Sequence, residues 1–323
     1  MGLDNYINYV MKSLLKNPIL EVLQEIKITK ILKQSNFIKR DVGYPPFQII
    51  LHFLYMLVMQ KRQSSFIKQS DSAFGKDAYY RFIKESRYNW RKLLLLSTTV
   101  LLQKIKPLHK SGEYCLLIID DTVEPKRGKL IEGSCRYIWS NKEHRTINAL
   151  NIVSLNYADS HSTFQLDFSI KMNDSRRKDI TEFTTHLHHR SNAYQRKSET
   201  IKGKNTLAIE MLERALNTGI EADYLLVDSW YAKPNFIKQA NDLGMPVIAR
   251  LPNNKLIWNF KGKYKTLNSI YDSLTNIRHK QSGKHDEIYY KYFDKIVEHI
   301  VRGKVKLVFL HIGKNYSFLY QLI

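Results

Sequence analysis

Apolar positions along the first 110 residues recur with near-helical spacing, as at Ile19, Val22, Leu23, Ile26, Ile31 and Leu32. Pro45-Pro46 opens a second segment of this kind, and Trp90 to Lys106 gives a third. From Gly112 the rhythm becomes that of strands. Tyr114–Asp120, Arg136–Trp139, Ile147–Asn156 and Phe164–Lys171 are β-branched or alternating, with turn-forming gaps between them. After a polar stretch from Asn173 to Lys204, the pattern predicts a helix over Thr206–Asn217 stopped by Gly219. It continues with a strand at Tyr224–Val227, a helix at Pro234–Leu243 and a strand at Pro246–Arg250.

An antiparallel triplet drawn from these strands, followed by helix, strand, helix, strand, is the element order of the ribonuclease-H-like fold, an α/β architecture built on a mixed sheet. Residues 253–323 turn back to strands, expected at Lys255–Phe260, Ile288–Phe293, Ile296–Val301, Lys304–His311 and Tyr316–Ile323, with glycines punctuating them. Three regions are therefore expected: a basic helical bundle over 1–111, a mixed-sheet core over 112–252 and a β-rich insertion over 253–323.

Charge narrows the function. The 323 residues carry a formal charge of +21, and residues 1–112 hold 19 basic against 7 acidic side chains. Such an excess fits a polyanionic partner, because neutralising phosphates releases counterions. With 43% hydrophobic and 12% aromatic residues the composition is globular. Two cysteines, Cys115 and Cys135, do not support a disulfide framework. Met1 to Lys16 lacks the pattern of a signal peptide, so a cytoplasmic protein is expected. The longest apolar stretch, Phe47 to Met59, includes Gln48 and His52 and falls short of the roughly 20 residues a bilayer span needs, so no membrane is implicated.

The candidate chemistry rests on two acids at strand ends: Asp121, after Cys-Leu-Leu-Ile-Ile-Asp, and Asp228, after Tyr-Leu-Leu-Val. A buried run fixes the backbone, and an acid just beyond it projects into the crevice where open α/β sheets place their sites. Paired carboxylates suit Mg²⁺, which prefers oxygen ligands. Asp120 competes with Asp121, since alternation lets only one face the crevice.

These stretches resemble the DDE transposases of bacterial insertion sequences, specifically the insertion-sequence-4 group. The resemblance is carried by Lys76 to Phe82 with Asn89-Trp90-Arg91, by Ile119-Asp120-Asp121-Thr122 with Lys126 and Gly128, by Lys204 to Leu216, and by Ala222 to Tyr231. It implies a catalytic core in which Asp121 and Asp228 hold Mg²⁺, with Mn²⁺ as a substitute. It also implies cleavage and strand transfer on double-stranded DNA at transposon ends, carried out by a homodimer on paired ends. The family's third acid is a Glu on a helix within Tyr-x-x-Arg-x-x-x-Glu-x-x-x-x-x-x-Lys. No such helix is legible. Tyr292, Lys295 and Glu298 imitate it one residue short, in a stretch that reads as strand. The expectation is a transposase truncated before the catalytic Glu helix, with a non-catalytic DNA-binding remnant or inhibitor as the alternative.

Further DNA contacts are expected from Lys76, Arg81 and Arg91, where cations interleave with rings, unless those rings pack inward. Arg176, Arg177 and Lys178 add charge to a loop expected to be flexible and near the DNA path. Trp258 is a candidate for stacking on a displaced base, against a place in a strand core. His186, His188 and His189 lack partners at zinc spacing and read as polar loop.

Overall fold

The computed structural model describes residues 18–38, 43–58, 60, 75–128, 131–140, 142–172, 184–250, 257–273, 281–285, 288–299, 303–312 and 315–322. The chain forms two compact units, one of Met1–Leu108 with Arg177–Glu199, the other of His109–Arg176 with Thr200–Ile323.

The first unit is helical: α1 (Pro18–Glu25), α2 (Ile28–Gln34), α3 (Pro46–Val58), α4 (Lys76–Ile83), α5 (Trp90–Ile105) and α6 (Asn192–Glu199). Its core gathers Leu23, Ile26, Ile31, Leu32, Ile49 and Leu51 around an aromatic group. Phe37 stacks on Tyr88 at 4.3 Å between ring centroids and meets Trp90 edge-on at 4.9 Å. Asn89 caps α5 by accepting the Lys92 N–H at 3.0 Å.

The stretch of interleaved rings and cations is itself α4. Helical spacing decides its fate: Tyr79 and Phe82, three apart, are buried, whereas Tyr80 and Arg81 face solvent. Within the polar stretch expected to be a flexible loop, the described residues include a helix. Residues 192–199 form α6, and its last residue, Glu199, is buried against the Arg91 guanidinium.

Among the described residues, the second unit is built on one twelve-stranded sheet. Its strands are β1 (Leu116–Pro125), β2 (Cys135–Ser140), β3 (Arg145–Ala158), β4 (Thr163–Lys171), β5 (Tyr224–Val227) and β6 (Val247–Arg250). They continue with β7 (Ile257–Phe260), β8 (Lys263–Thr266), β9 (Gln281–His285), β10 (Ile288–His299), β11 (Gly303–Ile312) and β12 (Asn315–Leu322). Helices α7 (Lys204–Asn217), α8 (Pro234–Asp242) and α9 (Leu267–Asp272) complete it.

β3 pairs antiparallel with β1 along one edge and with β2 and then β4 along the other. β5 pairs parallel with β1, and β6 parallel with β5. β12 then adds antiparallel to β6 and leads through β11 to β10. The C-terminal strands therefore extend the same sheet. The two strands expected at 288–301 are one, because the β10–β11 ladder runs unbroken from Tyr290 to His299.

α7 buries Leu207, Ala208, Met211, Leu212 and Ala215, one stripe of a helix laid on β3 and β4. Arg214 on that helix donates to the buried Asp167 of β4 at 2.7 Å. This ion pair fixes the helix, and with it Lys204 at its first turn.

Candidate active site

β1 lies between an antiparallel and a parallel neighbour, which explains its run of apolar residues. Leu117 and Ile119 are fully buried on one face, and alternation puts Asp121 on that same face. The strand does not stop at Asp120. Its pairing with β3 continues through Asp121↔Val153 to Pro125↔Ala149, so Asp121 is held by a ladder on one side while its parallel ladder to β5 has ended. Asp120 is exposed, and its carboxylate accepts the Asp121 N–H at 2.8 Å.

The β1–β5 ladder ends at Ile119↔Val227, which puts Asp228 at the first position beyond β5. Its Oδ1 accepts the N–H of Trp230 at 3.0 Å and of Tyr231 at 3.4 Å, an Asx-type turn that fixes the carboxyl at the carboxyl end of the strand. Burial holds Asp228 above the usual carboxylate range; the two N–H bonds oppose this, and the negative charges of Asp121 and Asp120 reinforce it. Tyr231, fully buried, has its phenol pushed up by burial first and then by Asp121, Asp228 and Asp120. Its hydroxyl feels Asp121 but has no partner in ordinary hydrogen-bond geometry. The two aspartates, 107 positions apart in sequence, thus act on one buried ring, and the charge of Asp121 reaches Asp228.

A cation already answers this negative charge. Lys204 Nζ lies 2.6 Å from Asp121 Oδ2, with 19% of each side chain exposed. The same ammonium stands 5.4 Å from the centroid of Trp230, and Lys233 Nζ stands 5.0 Å from it. Lys204 carried the family resemblance in sequence without a stated role. Its place at the start of a helix, after Gly203, was the available signal.

The other residues singled out in sequence fall elsewhere. Lys76 Nζ lies 5.5 Å over the Tyr80 ring and Arg81 Nε donates to the Asp77 carbonyl at 3.3 Å, both on the outer face of α4. Arg91 is largely buried in an ion pair with Glu199 and belongs to the interior of the helical unit. Trp258 is fully buried in β7, opposite Lys265 of β8, so packing and not base stacking is its role in this conformation. Glu298 sits in β10, its backbone paired with Lys304 and Asn259, far along the sheet order from β1. His188 and His189 stack on each other at 4.5 Å. Arg176, Arg177 and Lys178 lie outside the described residues. Among the described residues, no group of three or more His, Cys, Asp or Glu side chains forms a metal-holding cluster, and no helix is long and apolar enough to cross a membrane.

The donors present fit a divalent cation. Hard carboxylate oxygens stand at the ends of two adjacent strands, burial and then the charges of Asp121 and Asp120 work against ionising Asp228, and a bound cation would relieve that cost. Among curated proteins no match is found. Residues 50–266, which span α4, α5 and the sheet from β1 to β8, match the family described as DDE superfamily endonuclease. With two thirds of its length and both strand-end aspartates inside that match, the chain belongs to the DDE superfamily endonucleases.

Proposed function

We propose that this chain is a transposase of an insertion sequence, cleaving DNA at transposon ends and transferring the cut strand through a divalent metal held by Asp121 and Asp228. The observation that carries the reading is their placement at the carboxyl ends of adjacent parallel strands, where Asp121 adds to the burial that works against ionising Asp228. The order β4-β3-β1-β5-β6, an antiparallel triplet continued by two parallel strands, supports a ribonuclease-H-like core.

When bound, Mg²⁺ or Mn²⁺ would activate a water or 3′-hydroxyl and neutralise charge on the attacking and leaving oxygens. Asp121 and Asp228 would hold and orient it. The Asx turn at Asp228 keeps that carboxyl from swinging away, and buried Tyr231 excludes water from behind the pair. Lys204 and Lys233, gathered at Trp230, present positive charge to an approaching phosphate. The helical unit, with Lys76 and Arg81 on its outer face, adds sequence-independent DNA affinity.

A second reading is a DNA-binding protein without catalysis. It is favoured by the ion pair between Lys204 and Asp121 and by Glu298 lying in a strand, which together leave two acids at the site among the described residues. One experiment separates the readings. The purified chain is incubated with an end-labelled duplex and Mn²⁺, beside Asp121→Asn and Asp228→Asn, with binding measured in parallel. Cleavage by the unaltered chain that both substitutions abolish while binding persists supports the transposase. Binding without cleavage supports the second reading, and cleavage undiminished by Asp121→Asn refutes the assignment of the site.

A further inference from the structure

At the amino end of β1, roughly 20 Å along the strand from Asp121 at about 3.3 Å per residue, a second group of reactive side chains comes together. His109 Nε2 lies 2.9 Å from Asp159 Oδ2. On the other side of the same ring, His109 Nδ1 lies 3.6 Å from Cys115 Sγ. Tyr157 donates its hydroxyl to that sulfur at 2.9 Å.

The protonation pattern follows from the partners. Asp159 sits in the turn between β3 and β4, and its Oδ1 accepts the N–H groups of His161 at 2.8 Å and Ser162 at 2.7 Å. Burial works against its charge, but those bonds and His109 outweigh it and hold the carboxyl below its usual range. An ionised carboxylate only accepts, so Nε2 carries a proton, and in the neutral ring Nδ1 presents its lone pair to the thiol. Tyr157 keeps its proton, because burial and then the contact with Cys115 push its phenol well up. The sulfur therefore lies between an imidazole nitrogen whose ring a carboxylate orients and a phenol hydroxyl that donates to it. That is the arrangement of an activated nucleophile.

The surrounding charges are accounted for. Asp223 Oδ2 is engaged by the Cys115 backbone N–H at 2.7 Å, and Glu113 faces His161 at 3.4 Å. Cys115 is partly exposed, whereas Cys135 is buried with its thiol donating to the Lys171 carbonyl at 3.0 Å. One chain thus holds a poised thiol and a shielded one.

We propose that Cys115 is a modification site that reacts with small disulfides. His109 Nδ1 takes the thiol proton, and Sγ attacks one sulfur of the disulfide. A new S–S bond forms as the old one breaks, and the departing thiolate takes the proton back from the imidazolium. Cys115 ends oxidised as a mixed disulfide, and one thiol is released reduced.

The test uses the full chain, fully reduced, with the uncharged reagent 4,4′-dithiodipyridine, and peptide mass mapping to assign the modified cysteine. Cys115 is expected to react and Cys135 not to, with Cys115 about tenfold faster in the folded chain than in guanidinium at the same pH. An ordinary half-covered thiol would be slowed by folding. His109→Gln should remove the advantage, with circular dichroism confirming the fold. A folded rate equal to or below the unfolded one overturns the proposal, as does an unchanged rate in folded His109→Gln. Should that variant not fold, the comparison of folded and unfolded rates in the unaltered chain decides.

Discussion

The ion pair between Lys204 and Asp121 sets up a competition that can be measured without DNA. At 2.6 Å and an effective dielectric of about 20, the attraction between the charges is about 6 kcal/mol. Most of it is offset by desolvating an ammonium whose side chain is only 19% exposed, which leaves a net contribution of about 1–3 kcal/mol. Lys204→Met keeps the stem against Trp230 and removes the charge. Asp121 then faces Asp228 and Asp120 without the ammonium that pairs with it. In chelator, the variant should unfold at a lower temperature, by about 2–4 °C for each kcal/mol removed.

Added Mn²⁺ should reverse the order of effects. A single site filled at a hundred times its dissociation constant stabilises a fold by about 2.7 kcal/mol. In the unaltered chain part of that gain is lost in moving the ammonium; in Lys204→Met none is. The rise in unfolding temperature on adding Mn²⁺, followed by differential scanning calorimetry, should therefore be larger in the variant, and absent in Asp121→Asn. An equal or smaller rise in Lys204→Met would refute the view that lysine and metal compete for one carboxylate.

Asp228→Asn should stabilise the metal-free chain near pH 7 while abolishing any metal-dependent cleavage. A carboxyl whose folded pKa is raised costs stability once ionised, and that cost is absent below the ordinary Asp range near about pH 3.9. Because Asp228 is partly exposed, the gain should stay below about 1 kcal/mol and vanish in acid, as read from thermal melts in chelator at both pH values. Replacing Lys76 and Arg81 together by Ala should weaken duplex binding equally across sequences. The slope of log affinity against log salt should fall by about one for each phosphate the variant no longer neutralises. An unchanged slope would take the outer face of α4 out of the DNA interface.

Short-range chemistry made much of the core legible. The strand Tyr224–Val227 falls where the sequence put it, and the run before Asp121 identified a buried central strand. Local pattern failed where partners decide. β1 continues to Pro125 because β3 offers a pairing edge that a window around Asp120 does not contain. The ring-and-cation stretch was read by composition, whereas the three-residue spacing of Tyr79 and Phe82 set its fold. Arg91 looked like surface charge because Glu199, 108 positions away, was not visible as its partner. The same reasoning explains why no local pattern marked Cys115: His109, Tyr157 and Asp159 come to it and to one another from three separate segments.

The direction of β12 bears on how many acids this site can gather. Leu319 pairs with Arg250 and Gln321 with Ile248, so β12 runs from the carboxyl end of β6 toward its amino end. The aspartates lie at the carboxyl ends of the parallel strands, and β12 therefore carries the chain away from them. β10 is two strands further along the sheet order, which places Glu298 beyond β12 and β11 from β6. Among the described residues, the element that crosses the sheet to this pair is α7, and what it delivers is Lys204. The lysine is the charge that balances Asp121, which makes its ammonium the first barrier a metal must displace.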